Sequence, residues 1–326
     1  MEDLAAGVER TAPGAQAAGA AQRTGRMCVL AAALLWSTGG ACIKALDGYS
    51  PWTVLSGRSL LSSLFFLALL GGRPRLAPGA GLWPVAGAVS YALVVTTFVL
   101  ANRLTTAANA IILQYTSILW IALFGWLMVR ESPTRREYAA MAVGVLGVVL
   151  CLGHGVRLFA SGPGDHRALL GDVVALASGF CFAITTVALR RIGKAVAHAG
   201  SQAGDPALVC LFYGNLLAGL FGLSWLAREI GNPGITGQSH LLGWAVLAWL
   251  GFGQLGAGYW FYQQGLKTTR ALTASLLSLA EPLVNPLLVF LTVQEIPPPG
   301  TIAGGALVIV SLALTLTARP PSGNAK

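Results

Sequence analysis

The stretch from Ala101 to Glu131 recurs without a gap as Gly265 to Glu295. In register, Arg103 lies over Lys267, Thr105 over Thr269, Ala107 over Ala271, Ala110 over Ala274, Leu113 over Leu277 and Glu131 over Glu295. Each copy runs from a cation through a long apolar segment to a glutamate, so the chain is a duplication. Five hydrophobic segments separate equivalent positions. An odd count turns the second copy upside down relative to the first, and inverted repeats with a site between them are a recurrent plan in secondary transporters.

Only a bilayer suits the composition. Hydrophobic residues make up 55% of the chain and charged residues 10%, whereas a soluble domain carries about 25% charge. A hydrocarbon core of about 30 Å takes about 20 apolar residues as helix. Ten segments qualify: Met27 to Leu46, Trp52 to Leu70, Trp83 to Ala101, Ala107 to Val129, Tyr138 to Leu152, Ala168 to Leu189, Pro206 to Leu226, Leu241 to Gly265, Ala271 to Val293 and Gly300 to Thr317. The predicted fold is an all-α polytopic membrane protein of ten transmembrane helices in two inverted five-helix repeats. The repeats occupy residues 27–152 and 168–317, joined by a loop at 153–167. Residues 1–26 read as a disordered cytoplasmic tail, rich in Ala, Gly and charge, and residues 318–326 as a second tail.

Cation placement sets the orientation. With the N-terminus in the cytoplasm, Arg23, Arg26, Arg73, Arg75, Arg130, Arg135, Arg136, Arg190, Arg191, Lys194, Lys267, Arg270, Arg319 and Lys326 all fall inside, as the positive-inside rule requires. Both termini are then cytoplasmic. The net charge of +9 is explained by this topology. A nucleic-acid partner, which would need those cations on one soluble face, is excluded.

Catalytic and metal signatures are missing. Cys28, Cys42, Cys151, Cys181 and Cys210 are scattered singly, and His154, His166, His198 and His240 have no partner at ligand spacing, so no metal or cofactor is assigned. The run from Gly251 to Gly256 matches the dinucleotide GxGxxG but lies inside an apolar span, where small residues let helices approach closely. No nucleophile elbow, P-loop or HExxH occurs, so the chain is not read as an enzyme. Glu131 and Glu295 read as solvated carboxylates at helix ends, with a gate contact as the alternative. Asp172 reads as a cap opening the sixth helix.

Polar groups inside hydrocarbon are costly and default to function. Glu281 lies eleven residues beyond Arg270, about 16 Å deep at about 1.5 Å per residue. Ala274, Ser278, Glu281 and Asn285 share one helical stripe. Pro282 and Pro286 remove backbone donors and free carbonyls of the preceding turn toward a cavity. The matching stripe in the first copy is Ala110, Gln114, Ser117 and Ile121. Glu281 either exchanges a proton, pairs with a substrate ammonium, or forms a structural ion pair with Arg58 or Lys44. Arg58 and Lys44 are either snorkelling anchors or anion-binding groups. Trp36 precedes Ser37, Thr38, Gly39 and Gly40, a gap of small residues beside its ring. Tyr91, Tyr115, Tyr259 and Tyr262 add hydroxyls at similar depth, and Gln254 and Gln263 extend the polar wall. The candidate substrate-binding set is Trp36, Thr38, Tyr91, Gln114, Ser117, Tyr259, Gln263, Ser278, Glu281 and Asn285.

Leu34, Leu35 and Trp36 with Lys44, then Pro51 and Arg58, then Ala107, Ala108, Asn109 and Ala110 leading to Glu131, open the first repeat. In the second stand Gly171 and Asp172, Phe182 with Leu189, Arg190 and Arg191, and Glu281 and Pro282 leading to Glu295. This pattern resembles the EamA-type drug/metabolite transporters from Met27 to Thr317. The resemblance implies ten helices in two inverted repeats, a bacterial inner-membrane location, and movement of small metabolites such as amino acids. The chain departs from the family pattern at Phe182, at Ser117 and Ile118, and at Arg270. The expected activity is alternating-access export of a small metabolite, with the bilayer and the metabolite as partners and protons as a coupling ion if Glu281 titrates. Efflux of amphipathic drugs and a non-transporting scaffold are the alternatives.

Overall fold

The computed structural model describes residues 13–46, 48–76, 81–105, 107–152, 166–199, 205–231, 240–284, 288 and 299–317, and every regular element among them is helical. In order these are α1 (Pro13–Trp36), α2 (Gly39–Ala45), α3 (Pro51–Leu69), α4 (Trp83–Leu104), α5 (Ala107–Gln114), α6 (Ser117–Phe124) and α7 (Arg135–Leu152). The second half holds α8 (His166–Ala199), α9 (Pro206–Phe221), α10 (Leu223–Gly231), α11 (His240–Ala248), α12 (Gly258–Thr268), α13 (Ala271–Leu277) and α14 (Pro299–Thr317). Wider π-helical turns extend α6 over Gly125–Val129 and join α11 to α12 over Trp249–Ala257.

Helix starts follow from local chemistry. Proline opens α3 and α9, where its missing N–H costs nothing. Ser50 caps α3 by accepting from Trp52 N at 3.3 Å, and Asp205 caps α9 by accepting from Ala207 N at 3.0 Å. Residues 13–26, expected as a disordered tail, are helical and part of α1. That stretch is alanine-rich, which favours helix, and it is docked: Thr268 Oγ1 donates to Ala21 O at 3.2 Å and Arg26 Nη1 to Leu316 O. Residues 1–12, most of the 153–167 connection and the 318–326 tail lie outside the described residues.

Among the described residues, six helices are long and apolar enough to cross a membrane: Gly19–Ile43, Pro51–Leu69, Trp83–Leu104, Ala110–Val129, His166–Ala195 and Leu241–Thr268. α9 and α10 form a further candidate span bent by 60°. Ala271–Val284 and Ile302–Thr317 are shorter apolar helices. Of the ten expected spans, the fifth corresponds to α7, whose first turn carries Arg135, Arg136 and Glu137.

The bundle reverses the pattern of a soluble core. Leu64, Leu93, Trp126, Leu217, Phe221 and Leu241 stand exposed, whereas Ser56, Ser59, Ser62, Ser90, Thr185, Thr186 and Asn215 are buried. An apolar rim of that extent is a membrane surface. Since lipid offers no hydrophobic drive between helices, hydroxyl bonds and small residues join them. Ser56 donates to Gly219 O at 2.6 Å, Ser90 and Thr185 meet at 2.9 Å, and Ser311 donates to Ala140 O at 2.7 Å. The GxGxxG segment belongs to this packing. A Cβ on Gly251 would lie 2.5 Å from Leu61 Cβ and 2.9 Å from Arg58 O, so only glycine lets the π-helical turn touch α3.

The two ends of the bundle differ in charge. At the basic end, Lys267 pairs with Asp205 at 2.6 Å, Arg270 with Glu137 at 2.8 Å, and Arg190 with Glu131 at 2.8 Å. Arg191 lies 4.7 Å over the Trp83 ring, and Arg136 donates to Thr317 O at 3.3 Å. These contacts gather the starts of α1, α4, α7, α9 and α13 with the ends of α6, α8, α12 and α14. At the opposite end, Arg103 donates to Leu46 O at 2.8 Å, Arg167 to Arg103 O at 3.2 Å, and Ser50 N to Glu229 at 3.0 Å. That end gathers the starts of α3 and α8 with the ends of α2, α4 and α10.

Candidate functional site

The duplicated segments both break at mid-depth. α5 ends at Gln114 and the chain turns at Tyr115 and Thr116 before α6. α13 ends at Leu277 and turns at Ser278 and Leu279 before the helix resumes at Ala280. Backbone bonds tighten to three-residue spacing at both places: Ile118 N to Tyr115 O at 3.1 Å and Leu119 N to Thr116 O at 3.0 Å, Glu281 N to Ser278 O at 2.9 Å. In the second copy the cause is Pro282, which has no N–H for Ser278 O. In the first, Thr116 bonds back to Leu113 O at 2.6 Å, a local bond that competes with the helix.

The breaks are tied together. Tyr115 Oη lies 2.8 Å from Ser278 O and 3.1 Å from Glu281 Oε2. A phenol has one hydrogen, so it donates to one acceptor at a time. With a carboxylate, Tyr115 donates to Glu281; with a protonated Glu281, it donates to Ser278 and accepts from the acid. α8 fits against the first break through Gly179, whose added Cβ would lie 2.7 Å from Gln114 O and 2.9 Å from Thr116 Oγ1. Gly179→Ala is expected to destabilise by about 1–3 kcal/mol, read as a lower Tm in detergent. Gly19→Ala, with nothing within 4 Å of its Cβ, should cause no loss.

Beside the breaks lies a cavity of about 570 Å³, open space at its mouth included. Its wall is built from Trp36 of α1, Arg58 of α3, Val95 and Phe98 of α4, Gln114, Tyr115 and Ser117 at the first break, Phe182 of α8, Gln254 and Tyr259 of the α11–α12 span, and Ser275, Ser278 and Glu281 at the second break. Toward the basic end it is floored by aromatic rings. Trp36 packs 4.8 Å from Tyr259, 5.0 Å from Tyr262 and 6.0 Å from Phe182. Thr186 and Tyr262 hydroxyls bond beneath them at 3.0 Å.

Of the candidate set, Trp36, Gln114, Ser117, Tyr259, Ser278 and Glu281 meet in this wall. Tyr91 stands one layer behind, donating to Asn215 at 3.3 Å with its ring 4.6 Å from Tyr259. Thr38 does not reach the cavity: the chain breaks after Trp36, and its hydroxyl donates to Leu35 O and accepts from Trp249 Nε1 at 3.0 Å. Gln263 is buried beyond the wall with both amide atoms unpartnered. Asn285 lies outside the described residues, as does the side chain of Lys44. Arg58 is no snorkelling anchor; it is 1% exposed, with Nη2 donating to Val95 O at 3.0 Å. Glu281 forms no ion pair with Arg58 among the described residues. Tyr115 and Phe98 are wall residues absent from the candidate set.

Two carboxylates differ from expectation. Glu131 is not solvated: its side chain is 9% exposed and bridges Arg190 at 2.8 Å and Lys194 at 2.9 Å, while Oε2 accepts from Ala271 N at 3.1 Å. Arg130 just before it takes the left-handed conformation (φ 59°), ending the helix and turning Glu131 inward. Burial pushes the Glu131 carboxyl up, but Arg190 and Lys194 outweigh it and hold the group below the usual range. Asp172 is not a cap, because α8 begins six residues earlier at His166. It is buried and accepts from Thr105 Oγ1 at 2.8 Å, joining α4 to α8. Glu295 lies outside the described residues. Among the described residues, no group of His, Cys, Asp and Glu is placed to hold a metal.

An apolar-rimmed helical bundle of this kind, with a polar central cavity, is a multi-pass membrane protein. The chain belongs to the EamA-like transporter family, whose model matches it twice, over residues 23–153 and 169–317. It is 26% identical over 299 residues to the uncharacterized transporter YvbV of Bacillus subtilis, covering 87% of this chain and 88% of that one. An uncharacterized transporter of Archaeoglobus fulgidus is 30% identical over 159 residues. That match spans 47% of this chain and about half, 53%, of the archaeal protein. A crystal structure with 19% identical residues superposes with a TM-score of 0.70, covering 90% of this chain and 96% of that one, and so shares the fold.

Proposed function

We propose that the protein exports a small metabolite, an amino acid or a similar molecule, across the cytoplasmic membrane by alternating access. The observation that carries this reading is the cavity between two broken, repeat-related helices, with Glu281 and Arg58 in its wall and no ion pair between them. A purely structural bundle has no need to bear the cost of desolvating those groups.

Ten crossings in two inverted five-helix repeats are the architecture we infer. The double family match supports the duplication. The end contacts support the inversion: α1 starts at the basic end and α8 at the opposite one. The gathering of cations at one end supports cytoplasmic termini. The ion pairs of Glu131 and the aromatic floor support a state closed at the basic end. The single Tyr115 hydrogen shared between Ser278 and Glu281 supports protons as the coupling ion.

Counterflow in proteoliposomes is the test: protein preloaded with one unlabelled amino acid should accumulate the labelled form, and absence of counterflow across an amino-acid panel rejects the reading. Efflux of an amphipathic drug is the second reading, favoured by Trp36, Phe98, Phe182 and Tyr259 in the wall. Labelled drug in the same vesicles separates the two.

A further inference from the structure

Buried polar atoms are nearly always partnered, and each exception calls for a reason. Three residues of the cavity wall hold such exceptions: Arg58 at Nε and Nη1, Trp36 at Nε1 and Gln254 at Oε1. Three of these four atoms are donors, and two belong to a guanidinium, which stays charged under all ordinary conditions. Arg58 spends only Nη2 on the protein, at Val95 O. No carboxylate neutralises it among the described residues, although the other cations bound at the basic end have acidic or carbonyl partners. A buried ion without a counter-charge is costly, and a group that supplies both negative charge and acceptor atoms would answer that cost.

We propose that Arg58 binds the carboxylate of the transported molecule, with the Trp36 N–H as a further donor. The ligand class is then a monocarboxylate whose body lies against the aromatic wall. A zwitterion also meets Glu281, so that both unpaired charges of the cavity are answered by one neutral molecule. Arginine suits the role because its planar fork matches a carboxylate and its hydration is weak. This inference rests on the transporter reading for the identity of the cargo, and the experiment separates the two.

Calorimetric titration of the full-length protein with L-phenylalanine, 3-phenylpropanoate and L-phenylalaninamide compares two carboxylates with a close analogue that has none. Binding of either acid, with the amide at least about tenfold weaker, is expected from the loss of charge-assisted bonds. Equal binding of amide and acids, or binding of none, overturns the proposal, and neither result depends on a variant folding. Arg58→Gln should lose about 10- to 100-fold in acid affinity, Arg58→Lys should recover part of it, and Trp36→Phe should weaken binding while keeping the ring. Unchanged acid affinity in a folded Arg58→Gln also overturns it. Acid binding through Arg58 without counterflow would reject transport and keep the site; counterflow of amide and acid alike in Arg58→Gln vesicles would keep transport and reject the site.

Discussion

Glu281→Gln is expected to leave the protein folded and to flatten the pH dependence of flux, with transport down at least about tenfold, the factor that 1.4 kcal/mol represents. Folding should survive because the amide oxygen still accepts from the Tyr115 hydroxyl, now 3.1 Å from Oε2. What the amide cannot do is take the proton that reverses the direction of that bond. The measurement is flux in proteoliposomes as a function of pH, for the wild type and the variant side by side. An unaltered profile in a folded variant would remove Glu281 from coupling and leave facilitated diffusion.

Glu131→Gln should produce the largest loss of stability, about 3 kcal/mol or more, because removing one partner of a buried pair strands the other. Arg190 and Lys194 would lose their carboxylate and Ala271 N would keep only a neutral acceptor. The pH dependence has a definite sign. The folded group titrates below its unfolded value of about 4.3, so its contribution is fully present above that value and is lost as pH falls through the lower folded one. Wild-type Tm in detergent should therefore drop on acidification below about pH 4.3, and the variant should start lower and drop less. Equal Tm values at neutral pH would show that Glu131 holds nothing together.

The repeat and the composition made the helical class legible, because apolar length and the 164-residue register are properties of the chain alone. The count of spans was less legible. α7 opens on Arg135, Arg136 and Glu137, and α9 and α10 bend by 60°, features that a search for uniform apolar rods does not register. In the site, Glu281, Ser278, Gln114 and Ser117 were reached by depth and helical stripe. Tyr115 was reached by depth alone, because it lies off that stripe and its tie to Ser278 O depends on a carbonyl 163 residues away. Gln263 was named as an extension of the polar wall without a helical phase behind it, and it lies buried beyond that wall. Thr38 fell to the break after Trp36, where its hydroxyl serves its own backbone. Glu131 looked solvated because its partners Arg190 and Ala271 are 59 and 140 residues away in sequence.

The two breaks bear on the cost of motion. Bending an intact helix in hydrocarbon means uncoupling backbone pairs with no water to replace them. Here Pro282 offers Ser278 O no four-residue donor, and the chain at both breaks already runs on three-residue turns. Under the proposed alternating access, each half-helix would swing on these short turns, and the phenol that clasps one hinge to the other would have to let go first.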